Sequence, residues 1–216
     1  MAEPAASRGS ASTPAWAALS RGLFLGDARQ VAPQLLNKLV VRDGVAGRIV
    51  EVEAYRGAED PASHAYRGPT RRNATMFGPP GHLYVYFSYG VHWCANAVCG
   101  PEGTAHAVLL RALAPVTGVE QMWARRSGAR RERDLCSGPG KLCQALGIGR
   151  QQDGADLVTG DGGVLLAADE RPPPRRPGVG PRVGITVAAD HPWRWWVPGD
   201  ANVSRGGRRP RRRMDP

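Results

Sequence analysis

The segment Arg48-Ile-Val-Glu-Val-Glu-Ala-Tyr55 alternates apolar and functional side chains. Residues two apart on a strand lie ~6.7 Å from one another and point the same way. Glu51, Glu53 and Tyr55 are therefore expected on one face, and Val50, Val52 and Ala54 on the other. Taken alone this is an ordinary half-solvated strand. Glu is a poor strand former, however, and two of them ahead of a Tyr suggest the wall of a pocket. A second charge interrupts an apolar run. Arg111 stands in Ala-Val-Leu-Leu-Arg-Ala-Leu-Ala, with Ala107, Leu109 and Leu113 expected on its face. A guanidinium in such company needs a carboxylate, because an unpaired buried charge is costly. Glu53 or Glu51 is the natural partner, in a structural ion pair or a working one. A carboxylate beside an arginine stays ionised at neutral pH, which suits a general base better than a general acid.

Tyr84, Tyr86, Phe87 and Tyr89 crowd into six residues, with Trp93 close behind. Most strand aromatics are core. Tyr89 differs, since Gly90 beside it marks a turn tip, and an aromatic on a rigid hairpin can wedge into a base stack. Ser137-Gly-Pro-Gly-Lys141 opens a short helix. Free backbone N–H groups there can hold a phosphate, and Ser137 acting as N-cap explains the segment equally well. The P-loop, the Gly-x-Ser-x-Gly elbow, His-Glu-x-x-His and a dinucleotide Gly-x-Gly-x-x-Gly are all absent from the sequence. Cysteines 94, 99, 136 and 143 form no Cys-x-x-Cys pair and are not flanked by His at zinc spacing, so they read as small buried side chains of an intracellular protein. No metal or cofactor is expected.

The elements that must position these residues are mostly strands. Asp27 caps a helix over about 28–36, Leu39–Arg42 is a strand turning at Asp43-Gly44, and Gly47–Tyr55 is the clearest strand. Residues 57–81 have no regular pattern, which marks either a functional loop or elements that pattern alone does not reveal. Further strands are expected at His82–Phe87, Val91–Val98, Ala105–Leu113 and Arg182–Ala188. Thr117-x-x-Glu120 reads as a capping box, Lys141–Leu146 as a short helix stopped by Gly147, and 171–181 as a Pro/Arg/Gly loop. The three Trp of His191-Pro-Trp-Arg-Trp-Trp196 read as core packing. Strands dominate, with a few helices at the edges, so the result is a single mixed α+β domain. Residues 1–19 read as a disordered leader, 20–204 as the domain and 205–216 as a disordered Arg-rich tail.

The chain has 216 residues, enough for one well-buried domain, and no apolar run long enough to span a bilayer. Its formal charge is +10, of which 205–216 supplies +5 through six Arg and one Asp. That balance suits a polyanionic partner.

In combination these segments resemble the alkyladenine (3-methyladenine) DNA glycosylase family, of the mammalian alkyladenine type. The resemblance runs through Arg48–Tyr55, Ser63-His64, Arg72-Asn73 before Met76-Phe77, Gly81–Tyr86 with Tyr89-Gly90, Asn96, Leu109–Leu113, Leu135–Pro139 with Lys141–Leu146, and Arg182-Val-Gly184. It covers roughly residues 20–204 and implies a single mixed α+β domain with a central curved antiparallel β-sheet, a protruding β-hairpin and peripheral helices, working as a cytoplasmic, monomeric, monofunctional glycosylase of base excision repair. Its partner would be double-stranded DNA containing damaged purines of the 3-methyladenine, 7-methylguanine, hypoxanthine and ethenoadenine class. By this resemblance Glu53 activates a water that Arg111 and the Val183 carbonyl also hold. Tyr55, His64, Tyr86 and Asn96 form the base pocket, and Tyr89 intercalates. Arg72, Ser137, Gly138 and Lys141 are candidate phosphate contacts. The rival readings are a non-catalytic nucleic-acid-binding module, which has no use for a carboxylate facing DNA, and a small-molecule hydrolase built on Glu53 and Arg111.

Overall fold

The computed structural model describes residues 16–204. In chain order its elements are β1 (Ala17–Ala18), α1 (Ala28–Leu35), β2 (Leu39–Arg42), β3 (Val45–Arg56), β4 (Leu83–Ser88), β5 (His92–Cys99), β6 (His106–Thr117), α2 (Val119–Arg125), α3 (Pro139–Leu146), β7 (Leu165–Ala168), β8 (Gly178–Gly180) and β9 (Arg194–Trp196), with short 3-10 turns between them. The strands form one antiparallel sheet in the order β1-β7-β2-β3-β6-β5-β4, and β9 pairs with β3 and β8. The α+β expectation holds.

Local chemistry explains the best-placed elements. Asp27 accepts the Arg29 N–H, and Gln30 reaches back to the Asp27 N–H, so α1 starts with a reciprocal cap. Its Ala28, Val31, Ala32 and Leu35 recur at helical spacing and are all buried. Asp43 and Gly44 have φ of +49° and +76°, the pair of left-handed residues that a tight β2–β3 hairpin requires. The main core lies on the sheet face covered by α1 and α3, and includes Phe24, Leu35, Ile49, Leu110, Leu113 and Leu142. The opposite face carries a smaller cluster of Ala65, Met76, Tyr84, Val98, Ala105 and Ala107. There the long connection after β3 lies over the sheet. Asn73 organises it, accepting from Thr70 and donating to the His64 and Gly68 carbonyls.

Several expectations are corrected. Thr117 ends β6 and donates its hydroxyl to the Gly44 carbonyl; the N-cap of α2 is Gly118, which makes no side-chain cap. Likewise Gly138, not Ser137, is the N-cap of α3, and the Ser137 hydroxyl instead lies 3.3 Å from the Lys141 ammonium. Arg182–Ala188 is not a strand; Gly184 and Ala188 have positive φ, and Arg182 is drawn sideways into an ion pair. The adjoining loop expected at 171–181 contains β8 instead. Trp193 and Trp195 pack against the core, whereas Trp196 lies beneath the Arg194 guanidinium. Of the leader expected over 1–19, residues 1–15 lie outside the described residues. Ala17 and Ala18 pair with β7, and Leu19 is buried. The Arg-rich tail at 205–216 also lies outside them.

The faces of the two central strands also differ from simple alternation. Glu51 pairs with Ala112 while Val52 pairs with Leu110 and Ile49 with Leu113. Val50 on β3 and Arg111 on β6 are therefore each an extra residue, two bulges at one level of the sheet. Each bulge switches which parity faces the core. The main core takes Ile49, Val52 and Ala54 from β3, and Val108, Leu110 and Leu113 from β6. Val50 is buried outside that cluster, and Leu113 lies on the face opposite Arg111.

Candidate active site

The bulged level of β3 and β6 carries the charge cluster. Arg111 is almost fully buried, with Nε 3.2 Å from Glu51 Oε1 and Nη1 3.2 Å from Glu53 Oε1. Both glutamates are completely buried. Each of the two therefore partners Arg111, and they differ in everything else. Glu51 also takes the Arg194 guanidinium at 3.0 Å, the Ser204 N–H at 2.7 Å and the Ser204 hydroxyl at 3.0 Å. Two arginines thus balance two carboxylates, and Glu51 is saturated by donors away from the cleft.

Glu53 accepts fewer bonds. Its Oε1 takes the Val183 N–H at 2.7 Å, and its Oε2 takes the Tyr55 hydroxyl at 3.0 Å. These two hydrogen bonds, with Arg111 as an ion-pair partner, leave part of a carboxylate's roughly four acceptor sites unused. The Val183 carbonyl was expected to hold the water, and it is the Val183 amide that meets Glu53 itself. Burial raises the Glu53 carboxyl above its ordinary value, against the opposing pull of Arg111, the Val183 amide and Tyr55. Arg111 favours the ionised form, as expected of an arginine neighbour, and burial is the larger influence. A carboxylate with a raised pKa is a better proton acceptor near neutrality.

Tyr55, Arg111 and Val183 separate Glu53 from a cleft of about 580 Å³ and form part of its wall. That volume falls in the range of small-molecule sites, ~300–1,000 Å³. Tyr86, His64, Asn96, Leu109 and Met76 also line it, so all four expected base-pocket residues meet in one cavity. The His64 and Tyr86 rings meet edge to face, 4.3 Å between centroids, and His64 Nδ1 lies 3.3 Å from the Tyr84 hydroxyl. Burial, with Arg72 nearby, lowers the His64 pKa and keeps the imidazole neutral at neutral pH. Asn96 is buried and donates to the Tyr84 carbonyl. Cys94 and Ser88 line the cleft too; the cysteine reads from sequence as a small buried side chain, and nothing in the residues around Ser88 marks it out.

At the rim, Tyr89 is 88 % exposed. Tyr89 and Gly90 have φ of +49° and +68°, and the Val91 N–H closes the turn on the Ser88 carbonyl. A left-handed tyrosine costs about 1–2 kcal/mol. The closed turn that imposes this conformation sets the ring out beyond the end of the β4–β5 hairpin. The edge strand β4 beneath it is not left bare: Asp153 accepts the Val85 N–H, and Leu83 pairs with 154–155. Arg72 is exposed at the cleft and donates to the Phe87 carbonyl, which braces the hairpin.

A second cavity, of about 440 Å³, adjoins the charge cluster. Arg111, Arg131, Arg133, Ser137, Gly138, Lys141 and Ser204 line it, with Asp134 as the acidic member. Three of the candidate phosphate contacts therefore gather here, apart from Arg72. Among the described residues no group of three His, Cys, Asp or Glu could hold a metal ion, and no helix is long and apolar enough to cross a membrane.

A family model described as methylpurine-DNA glycosylase matches residues 23–201. A provisionally named 3-methyladenine DNA glycosylase of Burkholderia lata is 59% identical over 194 residues, covering 88% of this chain and 94% of the relative. Similarly named proteins of Rhodopseudomonas palustris strain HaA2 and Streptomyces avermitilis are 51% and 47% identical, each over 86% of this chain and 90% of the relative.

Proposed function

Because the chain belongs to the methylpurine-DNA glycosylase family, and is thus a hydrolase of N-glycosyl bonds acting in base excision repair, we propose that it everts damaged purines from duplex DNA and releases them with a water activated by Glu53. The observation that carries this reading is the buried carboxylate, paired with an arginine and with acceptor capacity left over, behind the wall of an aromatic cleft whose rim bears an exposed tyrosine.

In this reading a purine leaves the stack at a cost of a few kcal/mol and enters between Tyr55 on one side and His64 and Tyr86 on the other. A water at the wall formed by Arg111 and Val183 gives its proton to Glu53. Its oxygen bonds the sugar's anomeric carbon as the C–N bond breaks, and that bond's electrons leave with the base. A 3- or 7-methylated purine already carries a positive charge and departs neutral. The sugar gains positive character on the way, and the ionised Glu53 stabilises it. Asn96 faces the base edge and disfavours the exocyclic amine of guanine, a rejection that undamaged DNA makes necessary. Ser137, Gly138 and Lys141, with Arg131 and Arg133 beside them, contact phosphates, and Arg72 does so at the rim.

The test is a base-release panel on duplexes, each carrying one 3-methyladenine, 7-methylguanine, hypoxanthine or ethenoadenine, with strand cleavage scored separately. Release of alkylated bases without cleavage is expected; no release from any of them defeats the reading. Tyr89→Ala is expected to weaken binding of a lesion duplex about 5- to 150-fold, the equivalent of ~1–3 kcal/mol of base–aromatic stacking. A single-stranded lesion oligonucleotide has no stack to fill, so its affinity should hardly change. Wild-type affinity of the variant for the lesion duplex would remove Tyr89 as the wedge.

A further inference from the structure

Val183 and Tyr55 both meet Glu53, and both are held by one neighbour. Arg182 and Asp60 are fully buried side chains joined by a two-pronged ion pair, Nη1 to Oδ2 at 2.5 Å and Nη2 to Oδ1 at 2.9 Å. Nη1 also donates to the Ala54 carbonyl, next to Tyr55 on β3. The guanidinium carbon lies 4.6 Å from the Tyr55 ring centroid and 5.0 Å from that of Trp193. Arg182 immediately precedes Val183, whose amide donates to Glu53. At the other end, Asp60 Oδ1 accepts the Ala62 N–H, in the segment leading to Ser63 and His64.

A buried ion pair is often no more stabilising than apolar side chains of the same volume. Its fork geometry does fix the relative placement of what is attached to it. Here the attached groups are an amide and a ring on the carboxylate of the charge cluster, and the loop that carries His64. Arg182 Nε remains without a partner among the described residues, so the guanidinium is oriented by the fork and the two rings and not by complete satisfaction of its donors.

We propose that Asp60 and Arg182 are a positioning pair, which sets the Val183 amide and the Tyr55 ring on Glu53 and ties the His64 loop to the same point. The proposal rests on the reading of Glu53 as the base. Neither residue touches the cleft. Their effect reaches the chemistry through Glu53, which also faces Arg111 from β6, Glu51 on its own strand, Tyr86 from β4, Cys94 from β5 and Arg194 from β9.

The experiment uses the full chain and dimethyl-sulfate-treated duplex DNA, under single-turnover conditions at saturating enzyme, across pH. Arg182→Lys keeps the charge and loses the fork and the flat stacking surface. The paired replacement Asp60→Leu with Arg182→Met keeps an apolar, filled site. In both, base release is expected to slow at least 30-fold while the chain still melts cooperatively. Affinity for undamaged duplex should stay within twofold. The Val183 amide favours the ionised Glu53, so loosening it should move the acid limb of the rate profile to higher pH, a change that lost stability alone would not produce. Wild-type rate and acid limb in Arg182→Lys, or in the folded paired variant, would overturn the proposal. Glu53→Gln runs beside them. If that variant stays active, it is the base assignment that fails; if it is inactive and the pair variants are normal, only the positioning role fails.

Discussion

Glu53→Gln should lower the single-turnover rate of base release by about 10²–10⁴-fold, the usual contribution of a positioned general base. The substitution preserves shape. The amide oxygen can still accept from Val183 and Arg111, and its NH2 can face the Tyr55 oxygen, so the folded chain and its DNA affinity should survive. What disappears is the proton acceptor and the negative charge beside the developing sugar cation. The wild-type acid limb carries the same information. Burial raises the Glu53 carboxyl, so the active ionised form is lost as pH falls through a value above the ordinary 4.5. The linkage has a definite sign. Between the unfolded and the higher folded pKa, the native state binds the extra proton, so ionising Glu53 lowers folded stability as pH rises through that window. The Gln variant carries no such cost. Full activity of Glu53→Gln on methylated duplex DNA would defeat the mechanism.

Arg111→Met should destabilise the fold by about 3–5 kcal/mol, the cost of stripping one partner from a buried ion pair. The reason lies in the local balance: Arg111 and Arg194 offset Glu51 and Glu53, and removing Arg111 leaves a net negative charge on two fully buried carboxylates. Denaturant unfolding measures it, and the deficit should shrink in acid as Glu53, deprived of the arginine that favours its ionised form, takes up a proton. Arg111→Lys should fall between, because a point charge cannot present Nε and Nη1 to two carboxylates at once. A change under 1 kcal/mol for Arg111→Met would mean that the cluster is not a balanced unit.

Much of this was readable from residue types and spacing. The β2 boundaries, the Asp27 cap and the Asp43-Gly44 turn follow from local preferences, and the tertiary structure keeps them. Glu51 and Glu53 beside Arg111 followed from period-two alternation and the cost of a lone buried charge. Other features lay beyond local reasoning. Bulges at Val50 and Arg111 leave no mark in an alternating pattern, so Leu113 was assigned to the wrong face. Arg194 and Ser204 reach Glu51 from 143 and 153 residues away, and no spacing rule spans that distance. An arginine set among three tryptophans at 193–196 was the available signal for Arg194, and the segment was read only as packing. Arg182–Ala188 looked like a strand from its composition, but the pull of Asp60 on Arg182 decides its path.

The paired irregularities in the central strands carry one more consequence. The numbers of facing residues on β3 and β6 sum to 162 at Ile49/Leu113 and again at Val52/Leu110, so the two extra residues cancel and the ladder resumes unshifted. Dropping one residue from either strand would turn one side of the sheet inside out relative to the other. Only a simultaneous loss from both could preserve the alignment, and on β6 that residue is the arginine on which the charge balance depends. This stretch is therefore closed to changes of length, whatever latitude its individual side chains enjoy.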